Sequence, residues 1–219
     1  MYFRNRAEAG RLLAKKLIKY KGQPVTIMAL SPGAVIVGAQ IAMHLHASMA
    51  MLLTEGVYLP GEFDALAGLS SEGTYTYNNM LTAGQIEEMV GEYNQYIEQQ
   101  RIEKRHRLNL LLGRNGEINR DTLRRHAVVV VSDGLPNGFS IDVASDFLDT
   151  IAIGKLIIAC PIASVPSVDR MHLLADEICC LSVIDNYIET NHYYDENTIP
   201  DISGALKVMN NIVQNWHKS

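Results

Sequence analysis

The stretch VVVVSDGLPNGFSIDVASDFL occupies residues 128–148. Its four valines form a continuous apolar run, which predicts a short strand covered on both faces. Residues 139–150 then read as a helix, so the polar turn between them lies at the carboxyl edge of a sheet. Asp133 closes the strand. Gly134 and Gly138 permit a tight loop and close backbone approach. Ser140 can cap the helix or donate to a ligand. The N–H groups opening a helix point outward with the positive end of its dipole. Together these features suit an anion, most naturally a phosphate monoester, with Asp133 in reach of the hydroxyls of an attached sugar. The turn has no Gly-Lys-Ser/Thr and no Gly-x-Gly-x-x-Gly, so it is neither a P-loop nor a dinucleotide fingerprint. The same residues also suffice for an ordinary strand–turn–helix connection.

The rest of the chain alternates around this unit. Residues 5–20 predict a helix with Ala9, Leu12, Leu13 and Leu17 in phase, followed by a strand at 25–30 and a buried helix at 35–45. Strands follow at 48–53, 155–162 and 177–183, and a helix at 167–175. Residues 54–79 keep no period and carry repeated Gly, Pro, Ser, Thr and Tyr, which marks a long loop or β-ribbon excursion of a length that is usually functional or mobile. Residues 82–112 read as a helical insertion with Ile86, Met89, Val90, Tyr93 and Ile97 on one stripe. Residues 202–217 form a terminal helix with Leu206, Met209, Val213 and Trp216 in phase. Alternating strands and helices predict one α/β domain over 1–219 with a mostly parallel sheet.

Composition narrows the function. A net charge of −5 argues against nucleic acid or an anionic membrane as a partner. The basic runs at 101–107 and 120–126 read as solvated helix and loop faces. No apolar run reaches membrane-spanning length, and the charged first residues do not resemble a signal peptide. Cys160, Cys179 and Cys180 are odd in number and lack metal-ligand spacing, which fits reduced thiols in a cytoplasmic protein. His44 and His46, two residues apart, point to different helix faces. Met43, Met49 and Met51 read as core filler. Tyr75, Tyr77, Tyr193 and Tyr194 could stack on a base, but aromatic residues in such segments more often serve as packing of a lid or hood.

The chain resembles the type I phosphoribosyltransferases, specifically the bacterial group of predicted phosphoribosyltransferases. The family fingerprint is an apolar strand, two acidic residues, a Gly-containing loop, Thr-Gly-x-Thr and a helix. The segments FRNRAEAGRLLAKKLIKYKGQPVTIMAL, ALSPGAVIVGAQIA, CPIASVPSVDRM and DNYIETNHYYDE are similar to further family segments in the same order. The resemblance implies a twisted parallel sheet with a flexible lid. It makes Asp133 the catalytic, ribose-binding carboxylate, with Ser132 in the position of its lost partner. Gly134, Leu135, Pro136, Asn137, Gly138, Phe139 and Ser140 become the 5′-phosphate cradle. Ser31, Pro32, Gly33 and Ala34 become the pyrophosphate loop. Mg²⁺ is implied alongside a diphosphate, with no tightly bound cofactor. The implied partner is phosphoribosyl pyrophosphate or a nucleotide, with room for a homo-oligomer.

The departures are specific. Ser132 removes one negative charge, while Asn137 and Ser140 replace threonines and keep hydrogen-bonding capacity. Relatives typically read Pro-Arg-Gly-Gly at the pyrophosphate loop, so Pro32 replaces a cation and deletes an N–H. Relatives also carry Arg-Lys at the end of the second strand, where Thr54 and Glu55 align. Loss of such cations costs on the order of a thousandfold in rate unless something compensates. Arg101, Lys104 and Arg105 are the candidates for compensation. The sequence is compatible with three functions: a divergent transferase, a sensor of nucleotides or sugar phosphates, and an interaction scaffold.

Overall fold

The computed structural model describes residues 2–62, 64–113 and 116–216. Its centre is a sheet of five parallel strands: β1 (Val25–Ala29), β2 (Ser48–Met51), β6 (Ala127–Val131), β7 (Lys155–Ser164) and β8 (Glu177–Ile184). They lie side by side in the order β2-β1-β6-β7-β8. The valine run of β6 is continuous because both faces are covered. Val129 and Val131 pack with Leu13, Ile27, Val35, Ile41 and Met209. Val128 and Val130 pack on the other side with Met28, Phe147, Ile158 and Met171. Helices α1 (Arg6–Lys16), α2 (Pro32–Leu45) and α6 (Ile202–Trp216) cover the first face, while α4 (Phe139–Asp149) and α5 (Val165–Leu174) cover the second.

The ends of these elements are set locally. Asn5 caps α1 by accepting from the Glu8 N–H, and Glu8 accepts in return from the Arg4 N–H at 2.7 Å. Lys15 and Lys16 complement the helix dipole in its last turn. Ser31 caps α2, with Pro32 at its first helical position, where a missing N–H costs nothing. Parallel register aligns Ala29 with Val131 and Val131 with Ala159. The turns after β1 and β6 therefore emerge side by side at the carboxyl edge.

Residues 54–79, expected as a loop or ribbon, carry a separate antiparallel sheet of β3 (Thr54–Tyr58), β4 (Ala65–Ser70) and β5 (Tyr75–Tyr77). Residue 63 lies outside the described set. All six residues of β4 are buried. Its small apolar residues sit between α4 and α3 (Ala83–Leu112), so the half-exposed alternation that announces a strand never appears. Helix α3 opens with a Thr82–Gln85 capping box and departs from helical geometry at Tyr93. Met89, Val90 and Tyr93 pack with Ile97 on Val57, Leu66 and Leu69, along the stripe read from the sequence. In α6, Ala205, Met209 and Ile212 are buried, while residue 217 and the side chains of Val213 and Trp216 lie outside the described set.

Candidate functional site

The two turns named in the sequence do meet, but their inner residues face the protein itself. Ser31 Oγ accepts from the Ala34 N–H at 2.9 Å and donates to Asp133 Oδ1 at 2.9 Å. Arg6 Nε donates to Asp133 Oδ2 at 2.7 Å. The Arg6 side chain is 2% exposed, so this ion pair is fully internal. The remaining guanidinium nitrogens donate to Asn191 Oδ1 at 2.7 Å and Asn197 Oδ1 at 3.3 Å. The guanidinium lies over the Tyr194 ring at 4.4 Å. The Tyr194 hydroxyl donates to the Asp133 carbonyl at 2.5 Å, and burial drives its pKa far up. Gly33 is required here by close approach. A Cβ would overlap the Asp133 carboxylate and sit 2.9 Å from Arg6 Nε.

Ser132 is likewise turned inward, its hydroxyl donating to the Gly134 carbonyl at 2.8 Å. Gly134 lies beneath the 187–194 segment, where a Cβ would overlap the Tyr187 hydroxyl and lie 2.7 Å from Thr190 Cγ2. Burial pushes the Tyr187 phenol up to about 12. Tyr193 and Tyr194 are buried with Phe3, and Tyr187 packs against them, which is the packing role read for that hood. Leu135 ties the turn to β7, since its N–H donates to the Ile162 carbonyl and its carbonyl accepts from the Ser164 N–H and from Ser167 Oγ.

The outer residues of the same turn face space. Pro136, Asn137, Gly138 and Phe139 line a cavity of about 560 Å³ with Tyr58, Asn78, Asn79 and Met80 from the β3–β5 region and Pro166 and Arg170 from α5. Helix α4 begins at Gly138, with no side-chain hydrogen bond from its cap. Arg170 packs over Gly138 and donates to Asp142, which also accepts from Asn79 Nδ2 at 2.6 Å. Burial raises the Asp142 pKa, and Arg170 opposes that shift. Ser140 does not line the cavity.

The cations proposed as compensation are engaged elsewhere. Glu55, aligned from sequence with a diphosphate position, lies on β3 and pairs with Lys104 at 3.6 Å and with Arg107. Arg101 stacks on Tyr75 at 4.6 Å and pairs with Glu98 at 2.6 Å. Arg105 lies against Gly73 and lines a polar cavity with Glu72 and Glu117. The cation beside the Ser31 turn is Arg6, which sequence reading missed. Its signal was available: Arg6 shares the buried helical stripe of Ala9, Gly10, Leu13 and Ala14, where an arginine needs a partner.

The donor set does not suit a protein-held Mg²⁺. Among the described residues no three His, Cys, Asp or Glu side chains converge. Asp133, the carboxylate at the joined turns, is committed to Arg6 and Ser31. Cys160 and Cys179 are buried and Cys180 half-buried, all as free thiols. No helix among the described residues is long and apolar enough to cross a membrane.

Comparison with known proteins fits this architecture. No family model matches the chain. A Mycobacterium tuberculosis protein named "putative phosphoribosyl transferase" is 28% identical over 185 residues, covering 82% of this chain and 40% of the relative. The chain thus spans less than half the length of that relative. The solved structure of TT1426 from Thermus thermophilus superposes with a TM-score of 0.75 at 24% identity, over 95% of this chain and 98% of that one. A hypoxanthine phosphoribosyltransferase from Staphylococcus aureus superposes with a TM-score of 0.50 at 12% identity, over 91% of each chain. The chain has the fold of the type I phosphoribosyltransferases and is similar in sequence to a protein named for that activity.

Proposed function

We propose that the protein binds a 5-phosphoribosyl compound, either phosphoribosyl pyrophosphate or a nucleotide, through its 5′-phosphate at the β6–α4 turn. The observation that carries this is the start of α4. Helix α4 begins after a glycine that has no side chain to cap it, with Asn137 Oδ1 accepting from the Phe139 N–H at 3.3 Å, and opens beside the Arg170–Asp142 pair into a cavity of sugar-phosphate size. Outward N–H groups, the helix dipole and a neighbouring guanidinium favour a phosphate there. The ribose then extends from the cavity toward Ser132 and Asp133, five to six residues earlier on the same turn.

Pentosyl transfer is the reaction that the fold's relatives suggest. It would create positive charge on the ribose and release a polyanion, so it needs cations at the leaving group. Pro32 supplies neither charge nor N–H, and both Asp133 carboxylate oxygens are engaged, by Arg6 and by Ser31. Binding is therefore the first property, and transfer requires the Arg6–Asp133 pair to open. A Mg²⁺ entering with a diphosphate would take its oxygens chiefly from that ligand and water.

Calorimetry with ribose 5-phosphate, AMP and phosphoribosyl pyrophosphate, each with and without Mg²⁺, tests the proposal. Saturable binding of the monophosphates is expected, weakened by inorganic phosphate. Silence with all three compounds would overturn it.

A further inference from the structure

We infer that Cys160 and Cys180 are an oxidation site, a thiol pair that a hydroperoxide closes into a reversible disulfide that loosens the β6–α4 turn. Parallel register places Cys160 of β7 beside Cys180 of β8, and both side chains pack on the face of the sheet covered by α4 and α5. Paired strands lie about 4.8 Å apart, inside the Cα separation of about 4.4–6.8 Å that a disulfide spans. The ladder has give beside them. Its register runs from Cys160–Cys180 to Ile162–Ser182 and omits Pro161, which has no N–H to offer. The two thiols are unequal. Cys160 is fully buried, while Cys180 is half-buried on the edge strand. The bond from the Cys160 thiol lowers the Cys180 pKa, against burial and with help from Lys16. The same bond and burial hold the Cys160 thiol well above its usual value. Cys180 is therefore the thiolate that reacts, and Cys160 the thiol that resolves it. Cys179 lies on the opposite face, in the cluster of Leu13, Val35 and Ile157, where burial pushes its thiol up to about 11.

A hydroperoxide from solution supplies the oxidising equivalents. The Cys180 thiolate attacks one peroxide oxygen, forming an S–O bond as the O–O bond breaks. The other oxygen leaves as hydroxide or alkoxide and takes up a proton, so Cys180 becomes a sulfenic acid. The Cys160 sulfur then attacks the Cys180 sulfur. An S–S bond forms, the S–O bond breaks, and the departing hydroxide takes the Cys160 proton as water. In all, two thiols lose two hydrogens, and the peroxide becomes water, or water and an alcohol. The β6–α4 turn hangs from β7 on both sides of Cys160. The Ser132 N–H donates to the Ala159 carbonyl at 3.2 Å, and the Leu135 N–H donates to the Ile162 carbonyl at 3.0 Å. A disulfide needs its Cβ atoms about 3.5–4.5 Å apart. That is closer than the strand spacing, so closure pulls β7 toward β8 and away from β6. Such a bond is readily reduced, which suits a switch rather than a structural staple.

The test treats the reduced protein with hydrogen peroxide, blocks the remaining thiols with iodoacetamide, and maps tryptic peptides by mass spectrometry. Free thiols should fall from three to one per chain, and dithiothreitol should restore them. The new bond should join the peptide of residues 156–170 to that of residues 171–207, with fragmentation placing it on Cys180. Cys160→Ala should instead leave a sulfenic acid on Cys180 that dimedone captures, and Cys180→Ala should leave Cys160 unoxidised. Hydrogen exchange at the Leu135 amide should quicken about tenfold in the oxidised wild type and recover on reduction. The wild-type peptide map decides the assignment alone if a variant fails to fold. Three free thiols after peroxide, a bond that involves Cys179, or a bond between two chains would overturn the assignment. A disulfide between Cys160 and Cys180 with unchanged exchange at Leu135 would overturn its action on the turn.

Discussion

Asp133 and Gly138 stand five residues apart on one turn, in opposite environments. Asp133 is held by Arg6 from α1, Ser31 from the β1–α2 turn and Tyr194 near the far end of the chain. Gly138 faces a cavity, and the nearest cation, Arg170, is 31% exposed at its side chain. One end of the turn is closed by the protein's own groups, and the other opens into a cavity. A residue's place in a motif does not fix whether it is available. Availability depends on what the rest of the chain brings to it.

The largest effect should come from breaking the closed end. Asp133→Ala strands the buried Arg6 charge and should cost about 3–5 kcal/mol of stability, read as a drop in the denaturant midpoint. Gly33→Ala forces a methyl group against the same pair and should cost about 1–3 kcal/mol. At the open end, Arg170→Ala should weaken ribose 5-phosphate binding about tenfold by calorimetry. Its stability cost should be smaller than that of Asp133→Ala, because Asp142 keeps its bond from Asn79 and can take up a proton. A variant at Arg170 that destabilises as much as Asp133→Ala would erase the contrast between the two ends.

A smaller effect separates acid sensitivity from either end. Glu177 begins β8, away from the carboxyl edge. Desolvation opposes its ionisation, but bonds from Lys19, Tyr20 and Lys155 prevail and hold its pKa down to about 2. A carboxylate depressed in the folded state contributes stability above its unfolded pKa and loses it as pH falls toward the folded value. Stability should therefore decline as pH drops from about 4.5 to about 2, and Glu177→Gln should flatten that slope in urea titrations.

The parts of the fold carried by local pattern were legible in the sequence. The valine run and the alternation of strands and helices state their structure within a few residues, whereas α2 starts at Pro32, three residues before the helix read at 35–45, so residues 32–34 are its first turn and not a loop. Strand β4 was not legible, because Ala65, Ala67 and Gly68 are small for the sake of two covering helices and show no alternation. The site divided along the same line. Residues 31–34 and 132–140 were proposed from the turn chemistry and the family resemblance. That Asp133 is engaged was hidden, because its partners Arg6 and Tyr194 are distant in sequence and meet only through the fold. The charged helix α3 misled for the same reason. Its cations looked free until β3 supplied Glu55 to Lys104 and Arg107.

The central claim is that the open end of the turn holds the phosphate, and a crystal structure with ribose 5-phosphate bound would test it most directly. The phosphate should sit at the start of α4, on the N–H groups of residues 138–140, with the Arg170 guanidinium beside it. A phosphate bound away from that helix start, with the cavity at Gly138 left unchanged, would contradict the account.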